Sequence, residues 1–132
     1  MRFALALLGG VWLPSLASAH HSGSEYDIRR TVEISGTLSQ VVWQNPHVML
    51  TITSVEAGTS STWEIECSPI STLERSSVNR QAFRVGDKVK LAGFASRLSP
   101  TRLFGTNLLT PSGGELVLAL AIKPRWQASC GW

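Results

Sequence analysis

The chain is 132 residues long, 43% of them hydrophobic, with a formal net charge of +3 at pH 7. That length makes one small domain with a single core. The charge is too weak, and Arg29, Arg75, Arg84, Lys90, Arg102 and Arg125 too scattered, for a surface that holds nucleic acid.

The chain opens with Met1-Arg2, an almost wholly apolar run from Phe3 to Leu16, and the small residues Ala17-Ser18-Ala19. A positive charge, an apolar stretch of about 14 residues and a small-x-small site make up a cleaved secretory leader, whereas a membrane-spanning helix needs roughly 20 apolar residues. Residues 1–19 therefore read as a signal peptide. The product is expected to be periplasmic or secreted, to keep no membrane span after processing and to begin at His20.

Residues 20–30 are polar and read as an N-terminal arm leading into the domain. Thr31 to Trp43 alternates, with Val32, Ile34, Leu38, Val41 and Trp43 among Thr and Ser, and predicts a long strand bent at Gly36. Gln44-Asn45-Pro46 is a turn. His47 to Val55 alternates again, placing Val48, Leu50 and Ile52 on one face and His47, Met49, Thr51 and Thr53 on the other. Ala57 to Ser60 closes a hairpin onto a third strand, Thr62 to Cys67, in which Trp63 and Ile65 oppose Glu64 and Glu66.

Ser68-Pro69 then changes the period. Ser68 can cap, Pro69 suits the first helical position, and Ile70, Leu73 and Val78 mark a short amphipathic helix. Arg84 to Asp87 turns the chain into Lys88 to Phe94, and Leu103 to Thr110 follows a polar loop. Pro111 to Gly114 is a tight turn before Glu115 to Ile122, whose apolar run from Leu116 reads as a buried strand. This order predicts a mainly β domain over residues 31–122. The expected form is a small OB-fold-like five-stranded barrel with one short helix between strands 3 and 4, followed by a tail over 123–132. A β-sandwich is the alternative, but it gives the single helix no particular place.

Chemistry centres on three histidines, His20, His21 and His47. A terminal histidine offers an amine and an imidazole on one residue, and a second imidazole completes a three-nitrogen set of the tetragonal kind that copper(II) prefers. His47, presented by the Pro46 turn, is the partner for that chelate. Met49, two residues on, is a candidate soft axial ligand, and Glu25, Tyr26 and Asp27 are candidates for an outer shell. Copper is the cofactor this pattern favours; three histidines and a water would also suit a catalytic zinc, the weaker option because the amine chelate favours copper. The plainer alternative leaves His20 and His21 as a free end and His47 as a structural residue of its turn.

Other chemistry is poorly represented. No serine sits in a Gly-x-Ser-x-Gly turn, no phosphate loop or dinucleotide fingerprint occurs, and Glu64 and Glu66 read as solvated acids on an outer face. Trp43, Trp63 and Phe94 lie on strands. They are either core or a ligand face of the kind OB barrels offer to extended ligands. Cys67 and Cys130, the only thiols, can form a disulfide in an oxidising compartment; two free thiols or a Cys-His metal site are the other readings.

Several of these segments together resemble the DUF6152 family of bacterial exported proteins. The resemblance is carried by His20-His21-Ser22 after the leader, Gly36-Thr37-Leu38, Trp43-Gln44-Asn45-Pro46-His47-Val48, Ser68-Pro69 and Gly86-Asp87-Lys88-Val89, and spans roughly residues 20 to 110. It implies a small exported β-barrel-like domain and assigns no activity. The chain departs from the family pattern at Cys67, where glycine is usual before Ser-Pro, and in a longer tail after Pro111. Taken together, the expectation is an exported binding or accessory protein with a copper site, more a binding module than an enzyme. The alternative is a metal-independent module that holds an exported partner protein, a small molecule or an oligomeric ligand on its barrel face.

Overall fold

A computed structural model describes residues 24–126. Over the described residues the fold is mainly β, one six-stranded sheet with a single short α-helix. The long first strand, β1 (Tyr26–Val42), pairs antiparallel with β4 (Lys88–Ser96) along Tyr26 to Thr37 and with β2 (Met49–Glu56) along Thr37 to Val42. The exchange of partners happens at Thr37, just after Gly36. A Cβ on Gly36 would stand 2.4 Å from the carbonyl oxygen of Thr53, so only glycine lets the two backbones approach. Register irregularities lie on either side, between Asp27 and Thr31 and between Leu38 and Gln40.

Strand β1 starts earlier than the alternation predicts. Tyr26 to Arg30 were expected in a polar arm, yet they extend the strand, because Tyr26 and Asp27 pair with Ser96 and Ala95 and Tyr26 is buried. β2 runs directly into β3 (Thr59–Glu66) through a two-residue turn, Ala57-Gly58, with both φ values positive, as a tight hairpin requires. The order across the sheet is β3-β2-β1-β4-β5-β6, where β5 is Arg102–Leu109 and β6 is Glu115–Val117. β3 also pairs in parallel with β5, Glu64 to Glu66 alongside Arg102 to Phe104.

Where five strands were expected the sheet has six. The sixth is shorter than the run to Ile122 suggested. β6 ends at Val117, Leu118 donates its N–H to the Thr106 carbonyl at 2.8 Å and buries completely, and the chain turns at Ala121, where φ is 60°.

The helix α1 (Ile70–Arg75) sits between β3 and β4 as predicted, and Leu73 is its buried residue. Its capping differs from expectation. Pro69 stands at the N-cap and Ser68 makes no capping bond; Asn45, from the turn after β1, accepts the Ile70 N–H at 3.3 Å. A 3-10 turn, Arg80–Ala82, follows.

The core includes the positions that alternation selects on β2, β3 and β4 and extends beyond them to α1, β5 and the residue after β6. Val48, Leu50, Ile52, Ile65, Leu73, Leu91, Leu103, Leu108 and Leu118 are all essentially inaccessible, with Ile34, Leu38, Val78, Phe83 and Val89 around them. Among the described residues no helix is long and apolar enough to cross a membrane.

Candidate functional site

The turn after β1 sets the site. Proline at 46 fixes its own φ and, with Asn45, delivers His47 just ahead of β2, so that Val48 enters the core while His47 and Met49 face outward. Both line a cleft of about 250 Å³ with Gln44, Pro46, Glu66 and Arg102. The cleft thus draws on the β1–β2 turn, the end of β3 and the start of β5, which meet through the parallel β3–β5 pairing.

The wall behind His47 is acidic and largely dry. His47 Nδ1 lies 3.2 Å from the Cys67 carbonyl oxygen and 3.3 Å from Glu66 Oε1. Glu66 is 5% exposed, and its other oxygen accepts the Tyr26 hydroxyl at 2.7 Å. Tyr26 is buried against Phe104, with ring centroids 5.6 Å apart. Burial, reinforced by the hydrogen bond to Glu66 and the charges of Glu66 and Glu25, pushes the Tyr26 phenol far above its ordinary range, so it remains a hydrogen-bond donor.

A second buried carboxylate, Glu25, stands beside this wall. It accepts from Ser96 Oγ at 3.1 Å and from Arg102 Nη1 at 3.3 Å, while its backbone carbonyl accepts the Arg97 N–H at 2.8 Å. Arg102 also reaches Glu64 at 2.8 Å. Those carboxylates, Glu64 foremost, hold the guanidinium pKa above its usual value.

The predicted residues divide sharply. His47 and Met49 meet in one cleft, and Tyr26 and Glu25 stand behind and beside it. Asp27 does not join them; it faces Arg97 at 3.4 Å and Arg29 at 3.9 Å. Glu66, read as a solvated partner of Glu64, is buried, because β3 ends against β5 and the start of β1 covers it. Neither its role nor that of Arg102 could be seen in the sequence, since both depend on contacts 38 to 77 residues apart.

His20, His21 and Cys130 lie outside the described residues. Cys67 is a free thiol, wholly buried, and burial pushes it up to about 12, with the Glu66 charge adding to the effect. Trp43 and Trp63 pack against the core, Trp43 with its ring 5.9 Å from Phe83, and Phe94 is half-buried on β4. In the tail, Trp126 carries Lys90 Nζ 5.3 Å above its ring.

The sequence over residues 11–103 matches the model of a family of unknown function, DUF6152. The chain belongs to the DUF6152 family. No curated protein matches it. The DUF6152 match includes every residue of the cleft, from Gln44 to Arg102, together with His20, His21, Glu25 and Tyr26; it stops short of β6 and the tail that carries Cys130. Among the described residues of this DUF6152 chain, no three His, Cys, Asp or Glu side chains stand together as a metal site.

Proposed function

We propose that this DUF6152 chain is an exported, OB-type barrel that binds copper through its mature N-terminal histidines and His47. The OB-type reading is supported by the strand ladder: β1 bridges β2 and β4, β5 follows β4, and β3 returns to β5 in parallel with α1 between β3 and β4.

One observation carries the copper reading. The start of β1 is held beside the His47 cleft, by Tyr26 on Glu66 at 2.7 Å and by Glu25 on Arg102 at 3.3 Å, and both Glu66 and Arg102 line the cleft. Cleavage after Ala19 makes His20 the terminal residue, five residues before Glu25, within an extended reach of about 17 Å. A segment of that length is what the copper reading asks to carry the terminal amine and imidazole to the His47 ring, and Met49 offers a thioether in the same cleft. Copper(II) takes the nitrogen set first, so acid competes with the metal for the same lone pairs and weakens binding.

The test is a copper(II) titration of untagged protein whose terminus has been identified as His20 by intact mass. The expected result is about one copper per chain with nitrogen-dominated spectra. An extra residue ahead of His20, or His47→Ala, should each weaken binding at least tenfold. Equal affinity of His47→Ala and wild type would mean that the terminus binds alone, and would end the folded-site reading. A mature terminus beyond His21 would remove the chelate altogether.

A further inference from the structure

We infer that Glu66 and Tyr26 are positioning residues that hold His47 in the tautomer whose Nε2 is free for a metal. The inference rests on the copper reading of the same cleft and deepens it.

His47 Nδ1 lies 3.2 Å from a backbone carbonyl oxygen and 3.3 Å from a carboxylate oxygen. Both can only accept, so Nδ1 carries the hydrogen and donates. In the neutral ring the lone pair is then on Nε2. An imidazole that binds metal through one nitrogen and donates from the other to a carbonyl or carboxylate is the arrangement that orients such a ligand and raises its basicity.

Each partner is itself fixed. The Cys67 carbonyl belongs to a residue in the core whose own N–H donates to the Val48 carbonyl at 2.8 Å, so its position follows the β2–β3 framework. Glu66 is nearly inaccessible and anchored through its second oxygen by Tyr26. Tyr26 in turn is locked by burial and by its contact with Phe104. The chain Tyr26–Glu66–His47 therefore runs from the rigid start of β1 to the ring, with one carboxylate oxygen for each neighbour. A carboxylate serving only stability would need no imidazole. Here its free oxygen faces the one described histidine, beside a half-buried methionine.

The decisive experiment needs no metal. Long-range proton–nitrogen NMR of the metal-free, natively processed protein, at a pH where His47 is neutral, reports which ring nitrogen bears hydrogen. Wild type should show His47 as the Nδ1–H form. Tyr26→Phe and Glu66→Gln, checked by thermal melts to be folded, should each shift it toward a mixture. An Nε2–H ring in wild type, or an unchanged tautomer in both variants, would overturn the proposal whatever copper does.

A copper(II) titration supplies the second readout. Glu66→Gln should weaken copper binding by about 10- to 100-fold in the wild-type background and leave it unchanged in the His47→Ala background. Equal weakening in both would show that Glu66 does not act through His47, and would also overturn it. Failure of the copper reading itself shows separately, as wild type and His47→Ala binding alike while the tautomer stands.

Discussion

Tyr26 and Glu66 are 40 residues apart in sequence and joined by a 2.7 Å hydrogen bond at the edge of the core. The bond closes the start of β1 over the end of β3, and it satisfies a carboxylate that folding has taken out of water. Removing the donor leaves that oxygen buried and unmatched. Tyr26→Phe should therefore lower stability by about 1.5 to 3 kcal/mol, the range for a hydrogen bond to a charged group. Urea denaturation at pH 7 measures it, and a change below about 0.5 kcal/mol would mean that water reaches Glu66.

Leu50 on β2 and Leu91 on β4 belong to the same core cluster, each essentially inaccessible. Truncating either to alanine removes three carbons from a packed interior and leaves a cavity. The expected cost is about 2 to 5 kcal/mol at each site, read as a fall in Tm. Val55→Ala serves as the control: it is 67% exposed on the same β2 strand and should change little.

Glu33 links β1 to β4 and to the tail, bonding Lys90 at 2.7 Å and also Arg125. Lys90 first, then Arg125, holds its carboxyl below the ordinary range. A carboxylate with a depressed folded pKa stabilises the fold above the usual carboxylate range, and that contribution disappears as pH falls through the folded value. Glu33→Gln should thus destabilise modestly at pH 7, by less than about 1 kcal/mol for so exposed a pair, with the difference closing in acid and in high salt. A gap that persists at pH 2 would mean the residue acts by packing.

Cys67 is buried with its thiol pushed up to about 12 from 9.0. Reaction needs both access and thiolate, and the folded state withholds both. In a Cys130→Ser variant, alkylation of Cys67 at pH 8 should proceed only as fast as the protein opens. It should accelerate sharply in denaturant, as followed by mass spectrometry. Above pH 9 the unfolded chain releases this proton before the folded one does, so stability should decline toward pH 12, less steeply in Cys67→Ala.

Alternation identified the β2, β3 and β4 part of the core. Val48, Leu50, Ile52, Ile65 and Leu91 are buried because a period of two is a local property, readable wherever one strand face is wet and the other dry. The helix between β3 and β4 was legible for a related reason, since Pro69 and the spacing of Ile70 and Leu73 are local signals. His47 and Met49 were legible as neighbours on one side of β2, and their sharing of a cleft follows from that.

What completes the cleft was decided by tertiary structure. Glu66 alternates like a surface acid, and only the parallel approach of β5 together with the cover from Tyr26 makes it a buried one. Arg102 opens a strand with no motif around it, yet it joins Glu25, Glu64 and the cleft because β3 and β5 meet there. The extension of β1 to Tyr26 and the end of β6 at Val117 likewise depend on which distant backbone offers hydrogen bonds. Periodicity records how a residue relates to its own strand, whereas burial of a charge depends on which strands are brought alongside. That second fact is a property of the whole sheet and of no segment within it.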